Sequence, residues 1–172
     1  SGSVGQPLQH VKVKIADDGE ILVAGNLMQG YLGEASIAGD WLSTGDIGYM
    51  DEQGYLYVTG RKKNLLITAF GKNISPEWLE GVFLQNHLIK QVFVTGEAST
   101  HLCAVIVPAD GVREAQIDRL VTDINNQLPD YAKVMEIRLA KEPFKYENGL
   151  LTANGRMKRA AIAAHYLSLI HI

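Results

Sequence analysis

The sequence predicts an α+β protein in which a glycine-rich β segment precedes a compact unit of short strands and helices. Up to about residue 70, short apolar runs are separated by turn signals, and after residue 74 a helix start and apolar stripes at spacings of three and four appear. The composition changes near residue 62, in the cationic run GRKK. We therefore expect two parts, residues 1–62 and 63–172.

The β segment is predicted to consist of antiparallel hairpins. HVKVKIA alternates apolar and polar residues, and the turn signal Asp18-Gly19 leads from it into EILVAG. DIGYMD and GYLYVTG form a second pair of strands around a turn at residues 51–54. LLITA follows as a further strand.

The second part begins with a helix that is capped by Ser75 and has Pro76 at its first position. We expect its buried face to contain Trp78, Leu79, Val82 and Phe83. QVFVTG, LCAVIVP and MEIRLA are predicted strands. A second helix is expected over residues 111–128, where Pro129 ends it. A last helix is expected from about residue 156 to 168, with Met157, Ala161 and Ala164 facing inward.

Composition excludes several classes of protein. A formal net charge of −3 gives no broad basic face for nucleic acid. Cys103 is the single cysteine, and SGSVGQPLQH lacks an apolar signal core, so we expect a cytoplasmic protein without disulfides. No apolar run reaches the roughly 20 residues of a transmembrane segment. None of the five histidines has the spacing of a metal pair.

The first candidate site lies in the hairpin from WLSTGDIG to GYLYVTGR. A turn centred between residues 52 and 53 pairs Asp46 with Thr59, and a centre one residue later pairs it with Arg61. Either register brings Asp46 and Arg61 to one end of the hairpin. A carboxylate accepts hydrogen bonds from a vicinal diol, and a guanidinium donates to hydroxyl or phosphate oxygens. The pair suits a ribose phosphate, or it is an ion pair that closes the hairpin.

The second candidate is LTANGRMKR, residues 151–159, a turn with three cations that leads into the last helix. Such a turn near a helix N-terminus can hold an anion, or it is a solvated loop.

A family resemblance is carried by five stretches, which occur in the order GSVGQPLQHVKVKI, GEILVAGNLMQGYL, WLSTGDIGYMDEQGYLYVTGRKKNLLI, GKNISPEWLE and LTANGRMKR. They resemble the C-terminal third of the AMP-forming acyl-CoA synthetases, the superfamily that includes luciferases and nonribosomal peptide adenylation domains. The GRKK and GKNISPE forms are most similar to the long-chain fatty acid branch.

The resemblance implies a fold and a reaction. Residues 1–62 would be the end of a large domain, a remnant of a distorted barrel, and residues 63–172 a lid domain with a small mixed sheet and flanking helices. A fatty acid and ATP would form an acyl-adenylate, and the acyl group would then pass to coenzyme A. Magnesium would be bound mostly by an N-terminal domain that this chain lacks, so the chain alone is expected to be inactive.

The resemblance also gives the candidate residues roles. The two ribose-binding residues of the family fall on Asp46 and Arg61, and the hinge about which the lid rotates falls on Lys63. Lys62 is expected to be solvated. In the second pose of the lid, LLITAFGKN faces the active site and Lys72 approaches phosphate.

Two positions depart from the family pattern. Phe70, next to Gly71 on the path of the acceptor thiol, replaces a small residue, which favours an acyl carrier protein over coenzyme A as the acceptor. The catalytic lysine of the family falls on Arg156, and Lys158 is the other candidate for its role. Arginine at this place favours a third interpretation, a catalytically silent interaction module.

Overall fold

A computed structural model describes residues 2–25, 41–68, 71–96 and 101–167. The chain divides into two compact units, Ser1–Leu65 and Leu66–Ile172. The first is built from strands and the second from strands and helices, so the predicted α+β class is confirmed. None of the helices in the described ranges has the length and apolar character to cross a membrane.

Among its described residues, the first unit has four strands that form one antiparallel sheet in chain order. They are β1 (Val11–Ile15), β2 (Glu20–Gly25), β3 (Leu42–Met50) and β4 (Leu56–Arg61). Both predicted hairpins are confirmed, with Gly19 at φ +83° in the first turn and Gly54 at φ +80° in the second. The Asp51 carboxylate fixes the second turn because its Oδ1 accepts the Gln53 and Tyr55 N–H groups at 3.0 and 2.8 Å.

The described part of the second unit contains five strands and three α-helices. In chain order they are β5 (Leu66–Ile67), β6 (Asn73–Ile74), α1 (Pro76–Leu84), β7 (Ile89–Thr95), β8 (Leu102–Pro108), α2 (Glu114–Asn125), β9 (Val134–Leu139) and α3 (Arg159–Leu167). Strand β8 is central, antiparallel to β7 and parallel to β9, which makes the sheet mixed as expected. The predicted strand LLITA is reduced to β5, which pairs with β6.

The core of this unit lies on both faces of β8, because successive side chains of a strand point to opposite faces. Ala104 and Ile106 pack with residues of α1 and α2. Val105 and Val107 pack on the other face with Phe144 and with Ile162 of α3. The all-apolar run of β8 is therefore a strand that is covered on both sides.

Several details of the predicted helices are wrong. The Ser75 cap is confirmed, since its hydroxyl accepts the Trp78 N–H at 3.3 Å, but the Trp78 side chain is exposed. Its place on the buried face is taken by Glu80, next to Leu79. Helix α2 ends at Asn125, before Pro129 is reached, so the proline is not what ends it.

The last helix begins at Arg159, three residues after the predicted start, because the preceding residues form a hairpin with a bridge between Leu151 and Met157. Ala164 is exposed, and Ile162 is the fully buried residue of α3.

Candidate functional site

Asp46 and Arg61 are directly opposite each other because β4 contains one extra residue. Near the turn, Gly48 pairs with Val58, and this register, if it continued, would turn Arg61 to the other face of the sheet. A bulge opposite the Ile47–Gly48 step takes up Thr59, whose hydroxyl donates to the Ile47 carbonyl at 3.1 Å. The second predicted register is therefore present at this end of the hairpin, but it is set by the bulge and not by the turn.

The two side chains form an ion pair beside a pocket. Arg61 Nε lies 2.8 Å from Asp46 Oδ1, and the side chains are 54% and 26% exposed. The pocket, about 380 Å³, is lined by Gly45 and by residues 61–63. An exposed pair contributes only about 0–1 kcal/mol. It can therefore orient the side chains without a large cost when a ligand competes for them.

The backbone before Asp46 is fixed by β2. The Thr44 hydroxyl donates to the Ile21 carbonyl at 2.7 Å and accepts the Asp46 N–H at 3.1 Å. Glu20 Oε1 accepts the N–H of Gly45, at 3.1 Å. Gly45 has φ +72°, a conformation that favours glycine. The N–H groups of Gly45 and Asp46 are thus both hydrogen-bonded, which fixes the backbone that carries the Asp46 carboxylate.

Lys62 is not simply solvated, which corrects the sequence-based expectation. Its Nζ lies 2.7 Å from Asp18 Oδ2 and 2.7 Å from Glu20 Oε2. The hydrogen bonds to Asp18 and Glu20 raise the pKa of Lys62, and the bond from Lys62 lowers the pKa of Asp18. Lys63, the predicted hinge, is exposed in the 3-10 turn Lys62–Asn64. Its role as a hinge stays a prediction.

The turn that carries Arg156 is a three-residue hairpin loop. The Thr152 carbonyl accepts the Gly155 N–H at 2.9 Å, and the Thr152 N–H donates to the Arg156 carbonyl at 2.8 Å. The Thr152 hydroxyl accepts the Arg156 N–H at 3.0 Å. Gly155 lies at φ +78°, as a hairpin loop of this type requires. Arg156 leaves the turn in a fixed backbone direction.

The turn before Lys72 has the same hydrogen bonds, which the sequence reasoning missed. The Thr68 carbonyl accepts the Gly71 N–H at 2.9 Å, and the Thr68 N–H donates to the Lys72 carbonyl at 3.0 Å. The Lys72 N–H donates to the Thr68 hydroxyl at 3.2 Å, and Gly71 lies at φ +69°. The similar sequences TAFGK and TANGR could have indicated that the two turns are alike. Phe70, predicted to lie on the acceptor path, is outside the described residues.

Arg156 and Lys158 are both exposed, whereas Met157 between them packs in the core cluster under α3. Alternation in an extended segment places the two cations on the same side of the chain. None of the ion pairs among the described residues involves either of them. Their catalytic roles stay predictions.

The first residue of α3 ties this segment to α1 through a buried ion pair. Arg159 Nη2 lies 2.8 Å from Glu80 Oε1, and its Nη1 lies 3.2 Å from Oε2. Nη2 also donates to the Val94 carbonyl at 2.7 Å, and Glu80 Oε1 accepts the Val94 N–H at 2.8 Å. Burial raises the pKa of Glu80, and Arg159 opposes this shift. The sequence feature that could have predicted this ion pair is an acidic residue, Glu80, within the apolar stripe of α1.

The chain is similar to a known domain and to known ligases. The model of the AMP-binding enzyme C-terminal domain matches residues 63–171. The chain is 32% identical to the long-chain-fatty-acid–CoA ligase FadD15 of Mycobacterium tuberculosis, over 97% of this chain and 33% of the ligase. It is 36% identical to a 2-succinylbenzoate–CoA ligase of Listeria monocytogenes, over 92% of this chain and 35% of that protein. The chain thus spans about a third of the length of these relatives.

Solved structures give the same result for the fold. The amide bond synthetase McbA from Marinactinospora thermotolerans matches with a TM-score of 0.76 at 26% identity, over 95% of this chain and 36% of that one. The o-succinylbenzoate CoA synthetase of Bacillus subtilis, in complex with the acyl-adenylate intermediate OSB-AMP, matches with a TM-score of 0.73 at 28% identity, over 94% and 35%. The relatives thus include ligases of different acids, and the comparisons do not single out the long-chain branch.

Proposed function

Because this chain belongs to the AMP-binding enzyme C-terminal domain family, we propose that it is the C-terminal part of an ATP-dependent acyl-CoA synthetase. The reaction is the conversion of a fatty acid, ATP and coenzyme A into acyl-CoA, AMP and pyrophosphate, and it requires a longer protein. The observation that carries the proposal is the Asp46–Arg61 pair at the pocket lined by Gly45 and residues 61–63.

In this function the Asp46–Arg61 pair binds the ribose of the nucleotide. The Asp46 carboxylate accepts hydrogen bonds from the two ribose hydroxyls, and the exposed Arg61 guanidinium donates to ribose or phosphate oxygens. The pocket volume, about 380 Å³, is within the range of about 300–1,000 Å³ that is common for small-molecule sites. A nucleotide fits this donor and acceptor set better than an uncharged apolar ligand does.

Arg156 and Lys72 are the cations that meet the phosphate groups. Each follows a glycine at positive φ in a turn closed by a threonine, so its backbone direction is fixed before any ligand binds. A preorganised donor at a place where negative charge develops is worth about 10²–10³ in rate. We assign the adenylation step to Arg156, with Lys158 as the other candidate, and a phosphate contact in the second step to Lys72.

Lys63 is the proposed hinge between these steps. It lies in a single 3-10 turn at the end of the first unit, where few backbone hydrogen bonds oppose rotation of the chain. Gly71 lies on the proposed path of the acceptor thiol. It is exposed and has no side chain, which leaves room for the arm that carries the thiol. Magnesium would accompany ATP. Among the described residues, no group of three or more acidic, histidine or cysteine side chains could hold it, so no magnesium ligand is assigned here.

The test is ATP–pyrophosphate exchange by the longer protein that carries this chain. Arg156→Ala should lower the rate by at least about 10²-fold, whereas Arg156→Lys should keep or raise it, because the charge is retained. Lys158→Ala tests the other candidate, since it removes a neighbouring exposed cation on the same side. If only Lys158→Ala abolishes exchange, the catalytic role belongs to Lys158. A wild-type protein without exchange activity on any acid would favour the silent module.

A second candidate function is transfer of the acyl group to an acyl carrier protein. Phe70 favours it, because an aromatic side chain on the acceptor path would narrow the space for a free coenzyme A thiol. Thioester formation should be measured with coenzyme A and with a phosphopantetheinylated carrier protein in parallel. Phe70→Ala should raise the rate with coenzyme A if Phe70 sets the choice, and leave it unchanged if it does not.

A further inference from the structure

We propose that Glu20 and Lys62 are positioning residues, which hold Asp46 and Arg61 in one arrangement through the backbone on either side of them. As a statement about nucleotide binding, this proposal rests on the function proposed above. As a statement about geometry it stands alone, because the contact between Glu20 and Lys62 is made within the first unit itself.

Lys62 directly follows Arg61, and its side chain connects the end of β4 to the β1–β2 turn. Its ammonium group lies 2.7 Å from the carboxylates of both Asp18 and Glu20, although these residues are more than 40 positions away in the chain. Asp18 itself is fixed, because its Oδ1 accepts the Glu20 N–H at 3.1 Å. The cation therefore attaches the end of β4 to a rigid turn.

Glu20 extends this link to the strand that carries Asp46. The residue is only 6% exposed, and its two oxygens have different partners. Oε2 faces Lys62, and Oε1 accepts the N–H of Gly45, the residue before Asp46. A buried carboxylate is costly unless it is paired and hydrogen-bonded. Lys62 supplies the charge partner and the Gly45 N–H supplies the hydrogen bond. These residues are adjacent in the chain to Arg61 and Asp46.

The same link defines where the hinge begins. Lys62 is the first residue of the 3-10 turn that contains Lys63. With its side chain held by two carboxylates, Lys62 stays with the first unit, so that rotation about the chain starts at Lys63. The three consecutive cations of GRKK thus have three roles, which are ligand contact by Arg61, anchoring by Lys62 and rotation at Lys63.

The geometric part is tested on the 172-residue chain by amide hydrogen exchange, resolved by NMR. Lys62→Met should raise the exchange rate of the Gly45 amide about tenfold, since its hydrogen bond to the Glu20 carboxylate is weakened, and that of the Asp46 amide less, since its acceptor is the Thr44 hydroxyl. Lys62→Arg should restore slow exchange. Lys12→Met, which removes an exposed cation of β1, should change neither amide.

A double-mutant cycle then separates the specific link from a general loosening of the sheet. Glu20→Gln keeps an oxygen for the Gly45 N–H but removes the charge that Lys62 meets. Lys62→Met should therefore add little further exchange in the Glu20→Gln background. The proposal is overturned if the two effects are additive, if Lys62→Arg does not restore protection, or if all amides of β1 and β2 exchange faster together.

The functional part is tested with AMP as the probe, by titration of the same variants in the longer protein that carries this chain. Lys62→Met should weaken AMP binding several-fold, Lys62→Arg should restore it, and Lys12→Met should leave it unchanged. If Lys62→Met alters the exchange at Gly45 but not the affinity for AMP, the positioning role for a ligand is wrong. If the longer wild-type protein shows no binding of AMP at any concentration, the nucleotide site itself fails, and the amide data alone decide the geometric link.

Discussion

Removal of the Arg159 side chain tests how much the ion pair between α3 and α1 stabilises the second unit. In Arg159→Met the aliphatic part of the side chain is kept, and the guanidinium that contacts Glu80 and the Val94 carbonyl is lost. The carboxylate of Glu80 would then be buried with the Val94 N–H as a remaining hydrogen-bond donor. We expect a large loss of stability from this single change.

The magnitude follows from the burial of the pair. Breaking a buried ion pair costs about 3–5 kcal/mol, because an uncompensated charge remains. Arg159 is 22% exposed at its side chain, while Glu80 is 5% exposed, so water reaches one partner and the lower end, about 3 kcal/mol, applies. The guanidinium also lies 4.8 Å from the centre of the Phe93 ring, a contact that methionine replaces only in part. Arg138→Met is the matched control, since its pair with Glu136 is solvent-exposed, and it should change stability by less than about 1 kcal/mol.

The loss in Arg159→Met should depend on pH. Burial raises the pKa of Glu80, and Arg159 lowers it, so the variant should have a still higher pKa at this carboxyl. A carboxyl whose pKa is raised in the folded state contributes stability below its unfolded pKa and loses it as pH rises through the folded pKa. The difference between wild type and Arg159→Met should therefore be largest at pH 8 and shrink as the pH falls towards 5.

The assay is urea unfolding in a Trp41→Phe background. The chain has two tryptophans, so Trp78 of α1 then reports on the second unit alone. Glu80→Gln combined with Arg159→Met should be more stable than Arg159→Met, because the uncompensated charge is gone. A loss that is equal at pH 5 and pH 8, or a double variant no more stable than Arg159→Met, would refute the reasoning.

Three further predictions concern the candidate site and its hinge. Asp46→Ala in the longer protein should weaken ATP binding by roughly 1.5–3 kcal/mol, measured by calorimetry; an unchanged affinity would leave Asp46 as an ion-pair partner only. Lys63→Pro fixes φ near −65° and should block one half-reaction while sparing the other, which single-turnover kinetics can separate. Gly155→Ala places a Cβ at φ +78° with nothing within 4 Å of it, so backbone strain of about 1–2 kcal/mol should appear in urea unfolding. Gly81→Ala in α1, also without close neighbours, should be neutral or stabilising, and an equal loss in both would rule out strain.

The local features of this fold were predictable because they depend on neighbouring residues. Asp18-Gly19 and the Ser75 cap determine a turn and a helix start through contacts within a few positions. Apolar stripes located the helices, since their period is set by the helix itself. The errors at Trp78 and Ala164 have one cause. An apolar stripe shows that a helix has a buried face. Which residues at the edge of that face are buried is set by the sheet against which the helix packs.

The support of the candidate site was not predictable, because it depends on register. The β2–β3 pairing shifts between Glu20 and Leu22, and the β3–β4 pairing shifts between Ile47 and Gly48. The β3–β4 shift is by one residue and changes which face later residues occupy, whereas the β2–β3 shift is by two residues. The apolar–polar alternation of the sequence indicates neither shift.

Both register shifts adjoin the residues that hold the candidate nucleotide site, and this has a physical reason. A regular register with the turn centred on Gln53 would put Arg61 on the face opposite Asp46, and the bulge at Thr59 restores them to one face. Glu20 pairs with Ile47, the pairing shifts directly after it, and its side chain accepts the N–H of Gly45 within the shifted part of β3. Bulges are frequent next to active sites, where they redirect a side chain. In the first unit the two bulges fix the direction of charged side chains through the backbone. In the second unit the positive-φ glycines before Lys72 and Arg156 have the same effect.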